Sequence, residues 1–102
     1  MSVMIGLVHV RPRPGNSELG SSLGAFLNAL AEASDEDDFK AKMIDELGAL
    51  DFEVLEVEEV EPFEVRIAKN RVEQQLIDLA AEVGRTGGVQ LGTFHSYEKD
   101  EP

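Results

Sequence analysis

The chain has 102 residues, of which 42% are hydrophobic, and its formal net charge at pH 7 is −12. This length suits one domain with one core, and the ordinary apolar content argues against disorder despite the charge. The sequence has no cysteine, which excludes a disulfide scaffold and a thiolate zinc site. No apolar run approaches the roughly 20 residues that span a bilayer, and residues 1–10 lack a basic region and a cleavage site, so we expect a soluble cytoplasmic protein.

The negative charge is concentrated in the middle third of the chain. Residues 32–64 hold fourteen acidic residues and two lysines, whereas the segments before and after them are close to neutral. Such a charge repels phosphate backbones and anionic membrane surfaces and attracts basic proteins. We therefore expect no nucleic acid and no membrane among the partners. The alternative explanation is that surplus acid only keeps a small protein soluble.

The first predicted element is a strand over residues 2–11. Both of its faces are mostly apolar, which is typical of a strand in the interior of a sheet. Pro12 and Pro14 end this strand, because proline has no N–H to donate to a neighbouring strand. Gly15 and Asn16 follow as a turn.

Residues 18–33 fit two interpretations. Phe26 and the leucines around it have helical spacing, but Gly20 and Gly24 would each cost a helix up to about 1 kcal/mol relative to alanine. Four acidic residues follow at positions 35–38, and the first turn of a helix favours acids because of the helix dipole. We predict that residues 23–33 form a strand that leads into this helix.

The next predicted element is a helix over residues 35–50. Ser34 and Asp37 have the spacing of a capping pair at its start. The acids there lack the ligand spacing and the central glycine of a calcium-binding EF-hand loop, so we assign them to capping and predict no metal site. The apolar stripe of the helix consists of Phe39, Met43, Ile44, Leu47 and Leu50.

Residues 51–67 alternate apolar residues with glutamates, and we predict that they contain the central strand of the sheet. The apolar positions change parity near Val54 and Leu55, which predicts a bulge or a strand with two apolar faces. Pro62 interrupts the strand, and residues 63–67 alternate again, which predicts a second short strand at a sheet edge. Glutamates along an exposed edge would also prevent edge-to-edge association without any further function.

The last two predicted elements are a helix over residues 70–83 and a strand over residues 89–97. Asn70 and Glu73 form a cap-like pair for the helix, and Gly84 suits its end. The strand places alternate residues on one face, namely Val89, Leu91, Thr93, His95 and Tyr97.

These elements predict one domain over residues 1–97 and a polar tail over residues 98–102. Their order, β-β-α-β-α-β, indicates an α+β fold. We predict a small two-layer sandwich in which one mainly antiparallel sheet carries both helices on one face. A ferredoxin-like topology is the alternative, and it is favoured if residues 18–33 are helical.

The acidic residues predict a surface that binds a basic protein. Glutamates can mimic the phosphates that a basic cleft holds, so one version is an inhibitor or immunity-type protein that plugs a nucleic-acid-cleaving site, and another is a small regulatory subunit. We expect no enzymatic activity and no cofactor, and homodimerisation through an exposed sheet edge or helix face is compatible with this function. The expected contact residues are Asp35, Glu36, Asp37, Asp38, Glu53, Glu56, Glu58, Glu59 and Glu61.

The two histidines give an alternative hypothesis. His9 and His95 both occupy predicted strands with apolar neighbours. Together with Thr93 and Tyr97 they could line a site for a small ligand or for acid–base catalysis, and a concave pocket that holds both histidines would support this. Two histidines on separate strands, without the spacing of a metal motif, indicate hydrogen-bonded structural residues rather than metal ligands.

Overall fold

The computed structural model describes residues 2–17, 20 and 22–97, so the predicted tail at 98–102 lies outside the described residues. Its sheet has the strand order β3-β1-β2-β4, with β5 also paired to β2, and each of these pairings is antiparallel. The predicted α+β class and the single antiparallel sheet are confirmed. The elements are β1 (Ser2–Pro12), β2 (Gly24–Ala33), α1 (Glu36–Ala49), β3 (Phe52–Pro62), α2 (Phe63–Lys69), α3 (Gln74–Thr86), β4 (Gln90–Leu91) and β5 (His95–Tyr97).

The hairpin of β1 and β2 is the centre of the sheet. Its register pairs Ser2 with Ala33 at one end and Val10 with Ala25 at the other. The predicted strand over residues 23–33 is confirmed, and its alanines are buried against α1, where small side chains let a helix approach the sheet closely. Because this segment is a strand, the condition that would favour a ferredoxin-like topology is not met.

The helices cover both faces of the sheet, so the prediction that both lie on one face is wrong. One core cluster joins Met4 and Val8 of β1 to Phe39 of α1. The other joins Ile5, which points to the opposite face of the same strand, to α2 and α3 through Phe63, Leu76 and Val83. The physical reason is that both faces of β1 are mostly apolar and β2 adds Leu30 to the second core cluster, so each face needs its own cover.

β3 is an edge strand, whereas the sequence predicted a central one. Among the described strands it pairs with β1 alone. The predicted bulge is confirmed: Val54 lies opposite Val10 and Glu56 opposite His9, which leaves Leu55 as the extra residue. A second register shift includes Glu59, whose φ is 56°.

Residues 63–69 form the short helix α2, so the second short strand predicted there is wrong. Pro62 has φ −58° and precedes the first helical residue, where the fixed proline angle allows a helix to begin. Only Phe63 of this helix is buried, while Val65 and Ile67 are 40% and 47% exposed. The alternating apolar pattern in this segment therefore does not mark a strand face.

The C-terminal elements differ from the predicted ones. α3 begins at Gln74 instead of residue 70, and Glu73 is its N-cap without a side-chain hydrogen bond. The helix continues through Gly84 to Thr86, and Gly87, with φ 76°, is its C-cap, so the predicted end at Gly84 is wrong. The predicted strand over residues 89–97 is divided into β4 and β5 at Gly92, whose N–H donates to the carbonyl oxygen of Asn28 at 2.8 Å. In the described part of the chain, no helix is long and apolar enough to cross a membrane.

Candidate functional site

Three glutamates in the middle of β3 are exposed and unpaired. Glu56 and Glu58 lie opposite His9 and Leu7 of β1, so they project from the sheet face opposite α1. Glu59 follows in the second register shift. No side chain of the described residues forms an ion pair or hydrogen bond with these three carboxylates, which we call the central glutamates.

The two other predicted glutamates of β3 are neutralised by bases at the ends of the strand. Arg11 Nε donates to Glu53 Oε1 at 2.8 Å. Glu61 accepts a hydrogen bond from Lys69 Nζ at 2.7 Å and also pairs with Arg66. The hydrogen bond from Lys69, followed by that from Arg66, lowers the pKa of the Glu61 carboxyl. The middle of β3 therefore keeps its negative charge, while both ends are locally balanced.

The predicted contact residues Asp35, Glu36, Asp37 and Asp38, which we call the acidic corner, mainly organise the start of α1. Asp35 is the N-cap, whereas the sequence pattern pointed to Ser34. Glu36 and Asp38 form i,i+4 ion pairs with Lys40 and Lys42 at 3.4 and 3.3 Å. The hydrogen bond from the backbone N–H of Ser34 is the main cause of the lowered pKa of the Asp38 carboxyl.

Asp35→Ala is expected to lower the free energy of unfolding by about 1 kcal/mol, since this side chain satisfies a backbone donor of the first turn. Asp35 Oδ1 accepts from the N–H of Asp38 at 2.8 Å, and Asp38 Oδ2 accepts from the N–H of Ser34 at 2.9 Å. Urea denaturation followed by circular dichroism measures the change. Asp37→Ala is the control, since the Asp37 side chain makes no hydrogen bond with a described residue, and equal losses in both variants would contradict the capping role.

The nine predicted contact residues do not share one face. α1 packs on the sheet face of Met4 and Val8, whereas Glu56 and Glu58 project from the other face. The acidic corner at the start of α1 is thus separated from the central glutamates by the sheet. The central glutamates are exposed, belong to one strand and have no paired base in the described chain.

His9 is held by aromatic neighbours on the same sheet face as Glu56. Its Nε2 and the Tyr97 hydroxyl are hydrogen-bonded at 2.6 Å, and its ring stacks on Phe26 with a centroid distance of 4.2 Å. Gly24 makes room for Tyr97, because a Cβ at Gly24 would lie 2.5 Å from the Tyr97 hydroxyl oxygen. This agrees with the prediction of a hydrogen-bonded structural histidine.

His95 lies apart from His9 in the sheet. Phe26 of β2 pairs with His9 of β1 on one side and with His95 of β5 on the other, so Phe26 lies between the two histidines. Thr93 accepts a hydrogen bond from Gln75 at 3.1 Å. The cavity that Thr93 and His95 line measures about 80 Å³ and is lined by neither His9 nor Tyr97.

That cavity is well below the roughly 300 Å³ at which small-molecule pockets begin. A ligand or catalytic site on His9, Thr93, His95 and Tyr97 therefore stays a prediction. Within residues 2–17, 20 and 22–97, no group of three or more histidine, aspartate or glutamate side chains is arranged to hold a metal ion.

A groove between α1 and β3 was missed by the sequence analysis. It measures about 360 Å³. Ile44 and Leu55 in this groove are 56% and 41% exposed, although Ile44 belonged to the predicted apolar stripe of the helix. The parity change at Leu55 was the available indication, because the extra residue of a bulge has no counterpart in the neighbouring strand. The lining residues of this β3–α1 groove are Lys40, Ile44, Val54, Leu55, Glu56 and Val57.

Comparison of the chain with protein-family models, with curated proteins and with solved structures finds no match. The central glutamates and the β3–α1 groove are the two surface features from which a function can be argued.

Proposed function

We propose that the protein is a binding module that docks a basic protein partner through the middle of β3. The observation that carries this proposal is the exposure of Glu56, Glu58 and Glu59 with no paired base in the described chain. Charges of one sign on a rigid element speed the encounter with an oppositely charged partner and fix its register.

The free protein tolerates this arrangement at low cost. Glu56 and Glu58 are two residues apart on one strand face, a spacing of about 7 Å. Two like charges at that distance repel by about 0.6 kcal/mol in water. A lysine or arginine placed between them would add two attractions that outweigh this repulsion, and removal of water at an interface would strengthen both attractions.

The class of partner follows from the carboxylates. A short row of them presents negative oxygens at intervals, as a phosphate backbone does, so a cleft that binds nucleic acid has the matching charge. An inhibitor or immunity-type protein that covers a nucleic-acid-cleaving site fits this description. A small regulatory subunit of another basic protein fits it equally.

The test is capture of a partner from lysate of the source organism on immobilised protein, at low and at high salt, with mass spectrometry as the readout. We expect one basic protein in stoichiometric amount, released at high salt. Glu56→Lys/Glu58→Lys should weaken its binding at least about tenfold, because juxtaposed like charges cost several kcal/mol at an interface.

The matched control is Asp45→Lys/Glu46→Lys, which changes the net charge of the chain equally. Both residues are exposed on α1. The neighbouring Lys42 donates to the carbonyl oxygen of Glu32 on β2, so this side of the helix faces away from β3. Docking through β3 would be contradicted if the two double variants weakened partner binding equally. It would also be contradicted if retention of the partner did not depend on salt concentration.

A further inference from the structure

β3 has an edge without a neighbouring strand in the described chain, although the carbonyl oxygen of Glu59 accepts a hydrogen bond from Arg66 Nη2 at 2.9 Å. β3 spans 11 residues, and β1 is its one neighbour among the described strands. The other edge of the sheet is partly closed, since β4 and β5 both pair with β2. A free edge offers unpaired N–H and C=O groups to which an extended peptide can add as a further strand.

Protection against aggregation explains only part of this edge. Glutamates and bulges are common devices that keep edge strands from associating, and β3 has both. The same explanation does not account for Leu55 and Ile44, which place exposed apolar surface beside the edge. A purely protective edge would carry polar residues at these positions.

The two sides of the edge differ in chemistry. On the α1 side lies the β3–α1 groove, with Ile44, Leu55 and Val57 in its lining. On the opposite side Glu58 projects, as does Glu56, which also borders the groove, and neither has a paired base in the described chain. Lys40, the one basic residue that lines the groove, is already paired with Glu36 at 3.4 Å. A strand added here would present alternate side chains to an apolar groove and to carboxylates.

We propose, resting on the function proposed above, that the basic partner binds as an extended segment that pairs with the free edge of β3. Apolar side chains of this segment enter the β3–α1 groove. The intervening lysines or arginines face Glu56 and Glu58, at the 4.5–5.5 Å typical of cross-strand pairs. Main-chain hydrogen bonds supply affinity, and the alternation of apolar and basic residues supplies specificity.

A second copy of this chain is a poor occupant of the edge. Pairing two β3 strands would bring the central glutamates of both copies together, and like charges directly opposite each other are destabilising. The net charge of −12 on each copy adds to the repulsion. Charge complementarity therefore selects a basic segment from another protein.

The test uses three synthetic peptides and the whole protein labelled with ¹⁵N. One peptide alternates lysine and valine, the second has the same composition with the lysines and valines in separate blocks, and the third alternates lysine and serine. We expect the first peptide to bind about tenfold more tightly than the others. It should slow amide hydrogen exchange in β3, and N-methylation of alternate peptide nitrogens should abolish this protection.

Variants of the protein test the groove separately. Ile44→Ser should weaken the alternating lysine–valine peptide about fivefold to tenfold, as loss of an apolar anchor does. Ile77→Ser is the control, since Ile77 is 41% exposed on α3, away from the groove. Both replaced side chains are exposed, so both variants should fold.

The outcomes separate this inference from the function on which it rests. Equal binding of all three peptides, with loss of binding only in Glu56→Lys/Glu58→Lys, would overturn strand addition and leave docking by charge intact. Absence of binding by every basic peptide, together with no basic partner from lysate, would overturn both. Selective binding of the alternating peptide with protection of β3 amides would support both.

Discussion

Phe39→Ala is expected to lower the free energy of unfolding by about 3–5 kcal/mol, the usual cost of removing a fully buried phenylalanine. Phe39 is completely inaccessible to solvent and is among the largest fully buried side chains of the described chain. Its ring joins α1 to the sheet in the larger core cluster. Domains of this size are stable by about 5–15 kcal/mol, so the variant would lose a large part of its margin.

The measurement is urea denaturation of the variant and the wild type, followed by circular dichroism. Ile44→Ala is the matched control on the same helix, because Ile44 is 56% exposed. Substitutions at such positions usually change stability by less than about 0.5 kcal/mol. If the two variants were equally destabilised, α1 would not pack on the sheet through Phe39, and the α1 face of the core would be misassigned.

The local sequence pattern was sufficient to predict several central elements of the fold. The apolar faces of residues 2–11 and the acids at 35–38 predicted β1 and the start of α1, and the parity change at Leu55 predicted the bulge. These features depend on periods of two or about 3.6 residues, which a single segment displays by itself. The strand over residues 23–33 was predicted from its position before a helix start, although its glycine and its alanines are unusual for a strand.

The placement of the helices depended on information outside each segment. Both helices were predicted on one face, yet α1 and α3 lie on opposite faces. Hydrophobic periodicity states which side of a helix is buried, but it does not state which face of the sheet receives it. Residues 63–67 show a second limit, because an apolar pattern with a period of two is shared by a strand and by a short helix that buries only Phe63.

The sequence also located the acidic strand without showing which of its charges are balanced. Arg11 pairs with Glu53 across 42 positions of the chain, and this contact depends on the register of β1 and β3. Such pairings separate structural carboxylates from free ones only after the fold is known. The central glutamates are therefore a property of the tertiary structure, although each glutamate was a predicted contact residue.

Gly6→Ala is expected to destabilise the protein by about 1–3 kcal/mol, the usual cost of overpacking a well-packed core. A Cβ at Gly6 would lie 2.7 Å from Cε2 of Phe39 and 3.1 Å from Cγ2 of Val60. The Phe39 ring is fully buried and cannot rotate away without displacing its neighbours. Either the ring must leave its rotamer or β1 must move away from α1.

Gly84→Ala provides a control, because it makes the same chemical change but is expected to stabilise the protein instead of destabilising it. No atom lies within 4 Å of a Cβ at Gly84, which is inside α3. Alanine there should stabilise the protein by about 0.4–1 kcal/mol, because it restricts the unfolded chain and favours the helix. Destabilisation by Gly84→Ala of the same size as that by Gly6→Ala would indicate a general intolerance of the fold and not a contact at Gly6.

A double-mutant cycle assigns the cost to the contact between Gly6 and Phe39. Leucine at Phe39 has no ring atoms in the positions that a Cβ at Gly6 would approach. Gly6→Ala should therefore cost less in the Phe39→Leu background than in the wild type, with a coupling of about 0.5–3 kcal/mol, as found for residues in direct contact. Additive losses would place the strain elsewhere, with the backbone of β1 as the next candidate. A double variant that loses less stability than the sum of the two single losses would show that the absence of a side chain at Gly6 sets how closely α1 approaches the sheet.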